Sequence, residues 1–230
     1  MNIQQFFIKL CLISLFLSCS DNNRISEFEK TIGPNNTENL NRLVVDFENN
    51  FLKIQYPNLT KDSAYIYFLH QYRIQDTSNF KSLKFLMNNP IRLELTTSVD
   101  SVWHNEQVDS TNLIHLDRNK INIRERSFNV NGDLDRRISE SSFPYDLIYS
   151  DNKTIKDWFR ILVEPNTEGK YWKGLHSVRH EENFVNEYIE IVESSGRISS
   201  SILAMRILEY DRDYSNYFIK RIIISEFVFY

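Results

Sequence analysis

The sequence predicts a mainly α fold: a single helical domain over residues 36–230, with a small β-hairpin in its middle. Three observations carry this. Apolar residues recur at spacings of three and four in several separate stretches, the period of a helix with one core-facing stripe. Asn131-Gly132 stands between two alternating runs, a strong short-range hairpin signal. No repeat period, low-complexity tract or interior linker divides the chain.

Gly33-Pro34-Asn35-Asn36 breaks the chain ahead of the first stripe. That stripe comprises Leu40, Leu43, Val44, Phe47, Phe51 and Ile54, and its helix ends at Tyr56-Pro57, because the residue before a proline is pushed out of helical geometry. Thr60 offers an N-cap to a second helix carrying Ala64, Tyr67, Phe68 and Gln71, with Asp62 suited to the positive end of its dipole. A third helix is expected from Phe80 to Met87, stopped by Asn88-Asn89-Pro90. Ile91 to Leu95 alternates as a strand does and equally fits a helix opened by Pro90. Ile121, Ile123, Phe128 and Val130 lead into the Asn-Gly turn, and Leu134 follows it.

Further on, Ile155, Trp158, Phe159 and Leu162 form another stripe. Phe184, Val185, Tyr188, Ile189 and Val192 share a face of a helix closed at Gly196, a residue suited to a left-handed cap. Ser199 or Ser200 caps a helix over Ile202–Leu208. The tail from Tyr214 to Tyr230 is apolar all round except for Lys220, Arg221 and Glu226, which marks a buried segment. Ile222-Ile223-Ile224 suits a strand, but helix is the preferred assignment.

Composition limits what such a domain can be. Hydrophobic residues make up 41% of the 230 and charged residues 25%, enough apolar material for a real core. The net charge of −4 and pI of about 5.8 speak against a nucleic-acid binder. With 5 glycines in all, Gly-rich phosphate loops have little to be built from.

The N-terminus reads as an address. Met1 to Lys9 is basic, Leu10 to Leu17 is an uninterrupted apolar run, and Ser18-Cys19 follows, the order of a secretory signal peptide. The run falls short of the roughly 20 residues a membrane-spanning helix needs. Phe16-Leu17-Ser18-Cys19 resembles the lipobox of bacterial lipoproteins, although Phe16 stands where an aliphatic residue is usual.

That resemblance covers about the first 20 residues. It implies a signal peptide over residues 1–18, cleavage before Cys19, and acylation of the Cys19 thiol. The membrane would then be a partner through lipid. Ser20 after the cysteine implies, by the same resemblance, the outer membrane of a Gram-negative bacterium. Residues 19–35, opening on polar Ser20-Asp21-Asn22-Asn23, are expected to be a flexible tether. The tail pattern is similar to that of uncharacterised bacterial lipoproteins, which implies no activity.

Cysteine usage agrees with this address. Of two cysteines, Cys11 lies in the segment to be removed, so only Cys19 remains. An internal disulfide, a cysteine nucleophile and a thiolate zinc site are then all excluded from the domain.

Other chemistry is thin. His176 and His180, at i and i+4, would share a helical face and with Glu181 or Glu182 suggest zinc, but Ser177 stands where the helical zinc-protease motif needs glutamate. Asn129, Asn131, Asp133, Asp135 and Glu140 follow an EF-hand count, yet glycine is at its fourth place instead of its sixth. His104 with Glu106 and His115 with Asp117 pair imidazole with carboxylate, without a nucleophile elbow to serve. Tyr171-Trp172 offers an aromatic platform for a sugar or peptide, against the simpler reading that both fill the core.

No catalytic residue, metal or cofactor is therefore expected. The leading expectation is a non-catalytic binding or structural lipoprotein with a protein or glycan partner. The alternative is a cell-surface hydrolase or metal-dependent enzyme using His176 and His180.

Overall fold

A computed structural model describes residues 22–78, 80, 91–96, 98–108, 114–142, 165–196, 198–210 and 214–228, with side chains left aside at 98–108, 114–120 and 141–142. It is mainly helical with an antiparallel sheet in the middle, as the sequence predicts.

The first helix, α1 (22–32), corrects an expectation. Part of the stretch predicted to be a loose tether is folded, because Ile25, Phe28 and Ile32 are themselves spaced by three and four. Phe28 and Ile32 are fully buried. The Phe28 ring meets Tyr171, Tyr217 and Phe218 edge-on at 5.5–5.9 Å. Removing one such side chain from water is worth about 1.5–3 kcal/mol, enough to order a short polar helix. Gly33 ends α1 at φ +81°, a conformation that side-chain-bearing residues rarely adopt, and Pro34 starts the next helix where its missing N–H costs nothing.

That helix, α2 (Pro34–Asp46), buries Leu40, Leu43 and Val44. It continues through a π turn (Phe47–Leu52) and a last α turn (Lys53–Gln55), ending at Tyr56 as the following proline demands. The π turn keeps Phe47, Phe51 and Leu52 inside, with the two phenylalanine rings stacked at 5.3 Å. Thr60 caps α3 (Lys61–Arg73) by accepting from the Ser63 N–H at 3.3 Å. Its inward residues are Ala64, Tyr65, Phe68 and Leu69; Tyr67, expected on the stripe, is half exposed. Phe80 packs on Phe51 and Phe68. The rest of the helix expected up to Met87 lies outside the described residues, as does the stripe from Ile155 to Leu162.

Residues 91–95 turn out helical: α4 (Arg92–Leu95) follows Ile91. The sheet then runs β1 (Ser98–Val108), β2 (Ile114–Phe128) and β3 (Leu134–Ser142) in the order β1-β2-β3, antiparallel throughout. It contains the predicted hairpin, with Phe128 opposite Leu134 and Gly132 at φ +86° in the turn, and adds β1 along the other edge of β2. Ile121 and Ile123 of β2 face inward, while Ile138 of β3 is exposed.

Asn166 stitches the sheet to the helices. Its amide donates to the carbonyls of Leu93, Glu94 and Phe128, and its own N–H donates to the Leu95 carbonyl.

Four helices close the core: α5 (Lys170–Val178), α6 (Asn183–Ser195), α7 (Ser200–Tyr210) and α8 (Tyr217–Phe227). Glu94, buried in α4, reaches the start of α5 and accepts the Tyr171 N–H at 2.8 Å, capping a helix whose own N-cap is a glycine. All five apolar residues predicted for the α6 face are buried, and Gly196 ends that helix at φ +77°. The tail is the helix α8, capped by Asn216, whose carbonyl oxygen accepts the N–H groups of Phe218 and Ile219. Nearly every α8 side chain is buried; the helix packs against α2, α6 and α7.

Candidate functional site

The three charged residues that interrupt the apolar tail all enter the interior on α8. Lys220 donates to Glu48 Oε1 at 2.8 Å, Lys61 donates to Glu48 Oε2 at 2.5 Å, and the Tyr65 hydroxyl donates to Oε1 at 3.2 Å. Glu48 lies on the π turn, and its backbone carbonyl accepts the Lys53 N–H across the wide π spacing. Burial by itself would raise the Glu48 pKa. The hydrogen bonds and charges of Lys220 and Lys61 outweigh it and hold the carboxyl below its ordinary 4.5. Glu226 accepts the hydroxyl of Tyr188 in the core. These two carboxylates have their donors.

Arg221 is different. It is 5% exposed, and among the described residues no carboxylate lies within ion-pair distance of it. Nη1 donates to the Tyr217 carbonyl at 2.8 Å, Nη2 donates to the side-chain oxygen of Asn41, and Nε has no partner. The guanidinium sits 3.1 Å from the centre of the Tyr217 ring, whose hydroxyl is held by Glu29 at 2.8 Å. Burial pulls the Arg221 pKa down, against the attraction of Tyr217, Tyr171 and Glu29. A buried ion that pairs with no counter-ion costs of order several kcal/mol, so this is the least comfortable charge described in the domain.

An open groove of about 930 Å³ lies between α1 and α2, walled by Glu29, Lys30, Thr37, Asn41, Arg42 and Val45; Arg221 does not line it, but its acceptor Asn41 does. The volume is at the upper end of ligand-pocket sizes, roughly 300–1,000 Å³. The groove charges are unevenly used. Arg42 pairs with Glu38 at 3.9 Å, Asp46 accepts from the Asn50 amide, and Glu29 is taken by Tyr217. Lys30 is exposed and forms no ion pair among the described residues.

The sites suggested by sequence are distributed otherwise. Cys19 and the signal-peptide stretch lie outside the described residues. Helix α5 ends at Val178, so His176 and His180 do not share a helical face, which corrects the premise of the zinc reading. His176 Nε2 lies 3.2 Å from Glu193 Oε1 and its Nδ1 lies 3.4 Å from Arg179, while His180 and Glu181 are exposed. Glu182 pairs with Arg24 at 3.3 Å. No three His, Cys, Asp or Glu residues gather as a metal site among the described residues.

His104 falls in β1 opposite Ile121, and His115 in β2 opposite Gln107. The EF-hand count falls on the hairpin tip, where Asn129 Oδ1 accepts the N–H groups of Asn131 and Asp133. Tyr171 and Trp172 are core residues, 3% and 6% exposed, and present no platform to solvent.

Arg221 and Glu48 are the functional candidates that residue patterns missed. Their only local signal is a charge within an apolar stripe. No protein-family model matches this sequence, and comparisons with curated proteins and with solved structures return no significant match.

Proposed function

We propose that this chain is an exported lipoprotein, anchored in a bacterial outer membrane through an acylated Cys19, whose folded domain binds a protein or glycan partner without catalysis. The observation that carries the anchoring is Phe16-Leu17-Ser18-Cys19 at the end of the Leu10–Leu17 apolar run, with Cys19 the one cysteine left after residues 1–18. A multiply acylated cysteine supplies the two hydrophobic signals that stable anchoring takes. No helix among the described residues is long and apolar enough to cross a membrane, so an anchor of another kind is compatible with them. The binding role draws on the groove between α1 and α2, whose volume suits a small ligand and whose wall includes the exposed Asn41, the acceptor of the buried Arg221. The acidic balance speaks against nucleic acid as the partner.

Expression of the full chain and its Cys19→Ser variant in a Gram-negative host tests the anchor. Wild type should sediment with membranes and incorporate labelled palmitate. The variant should take up no label and appear in the soluble fraction; a variant that stays with the membrane overturns the reading.

A further inference from the structure

We propose that the pocket beside the π turn binds a small organic carboxylate, held between Lys53 and Lys61. The site is separate from the α1–α2 groove, and the inference goes beyond the anchoring and partner reading above and depends on neither.

The pocket holds about 190 Å³ and lies between the π turn and the start of α3. Pockets for drug-sized ligands run to roughly 300–1,000 Å³, so the occupant of this one is small. The π turn decides which side chains share its wall. The Lys53 N–H reaches back five residues to the Glu48 carbonyl, and Glu48, Asn49, Leu52 and Lys53 all line the same space. Helical turns of this wide kind recur at functional sites.

Charge on the wall is lopsided. Glu48 is the one carboxylate among the described residues that line the pocket, against the two cations Lys53 and Lys61. That carboxylate is already shared: Lys220 donates to Oε1 from α8, together with the Tyr65 hydroxyl, and Lys61 donates to Oε2. Three lysines thus stand around a single negative charge, and Lys53 forms no ion pair among the described residues. Asp62, next to Lys61 in sequence, is exposed and does not line the pocket.

The Lys61 side chain is 53% exposed, and Lys220 holds Glu48 without it. An ammonium has three N–H donors, so Lys61 has donors left for a ligand. A carboxylate between Lys53 and Lys61 would supply the missing counter-charge. The exposed Asn49 amide, which makes no side-chain hydrogen bond among the described residues, offers a further donor. The remaining wall is largely apolar, formed by Tyr56, Pro57, Leu59 and Ala64. The Tyr56 hydroxyl is covered, so the lysines and Asn49 carry the polar contacts. Covering that wall favours an acid with a short carbon chain over inorganic phosphate.

The full chain, purified in a non-ionic detergent, is heated with its tryptophan fluorescence recorded at constant ionic strength. One arm titrates pentanoate, a second titrates inorganic phosphate, and sodium chloride is the control. Pentanoate should raise Tm with a saturable dependence that chloride does not reproduce. Phosphate should act about tenfold more weakly, because it leaves the apolar wall uncovered.

Lys53→Gln should leave the Tm of the ligand-free chain unchanged and weaken pentanoate binding by roughly tenfold or more. Lys173→Gln, at an exposed lysine of α5 outside the pocket, should respond as wild type does. Absence of a saturable pentanoate shift overturns the proposal. So does a phosphate response as strong as that of pentanoate, or a Lys53→Gln response equal to wild type. The Cys19→Ser chain should respond as wild type does, so a failure of the anchoring reading leaves this one standing.

Discussion

Gly174 lies so close to Ile32 that a Cβ built on it would come within 2.8 Å of Ile32 Cγ2, and within 3.0 Å of the Phe28 ring. Helix α5 therefore meets α1 backbone to side chain, with no room for a methyl group. In an exposed helix, alanine in place of glycine gains up to about 1 kcal/mol. Here over-packing outweighs that gain. Gly174→Ala should destabilise the domain by about 2 kcal/mol, lowering Tm by about 4–8 °C. Ile32→Ala removes the obstructing Cγ2, so a double-mutant cycle should show the two changes to be non-additive. Strict additivity would mean that α1 does not pack where it is described.

Glu48 predicts an acid-sensitive stability. Its carboxyl is held below 4.5 in the folded protein, so its contribution is fully present above that pH and is lost as pH falls through the folded value. Glu48→Gln leaves Lys220 and Lys61 facing a neutral amide. It should cost about 2 kcal/mol at pH 7, less than a fully buried pair because Lys61 is half exposed. Urea titrations of both chains at pH 7 and at pH 3 should show the gap closing in acid.

Glu94 carries the opposite sign. Burial raises its pKa, in spite of the N–H groups of Tyr171 and Lys170 that favour the ionised form. The native state thus holds this proton to higher pH than the unfolded chain does. The stability it contributes is complete below the unfolded value and is lost as pH rises through the folded one. Glu94→Gln keeps the acceptor for Tyr171 and should gain Tm relative to wild type between pH 4 and pH 7. Glu94→Ala removes the cap of α5 and should cost about 1–2 kcal/mol at pH 4, and less at pH 7, where wild type has itself lost stability. A Glu94→Gln chain whose disadvantage grows with pH would contradict the raised pKa.

Where local pattern and long-range packing agree, the sequence is readable. The α6 face, the Thr60 cap, the Gly196 stop and the Asn131-Gly132 turn each depend on residues within a few positions of one another, and each is found in place. Helix α1 is not readable in that way. Ile25, Phe28 and Ile32 do form a stripe, but a short one beside Ser, Asp and Asn, and it is held by Gly174 and Phe218 from the far end of the chain. Ile222-Ile223-Ile224 shows the converse, with β-branched residues kept helical because burial outweighs their intrinsic preference. Strand β1 is not legible because Ser98–Val108 alternates poorly. The candidate site was hardest. Arg221 is visible as an odd charge in an apolar tail, but its partner Asn41 is 180 positions away, and no window on the sequence joins them.

The distances along the chain have one further consequence. Glu29 and Tyr217 are 188 positions apart, Asn41 and Arg221 180, Glu48 and Lys220 172, and Tyr72 and Phe227 155. The last helix is thus the clasp that fastens the first three. Until residues 217–227 have emerged from the ribosome, α1 lacks the rings that Phe28 is buried against and α2 lacks the helix it packs on, and loops this long close slowly. Final folding becomes a late event in the life of the chain. A polypeptide threaded amino end first through a narrow pore would carry little native structure to obstruct its passage, and would lock only once its tail had arrived.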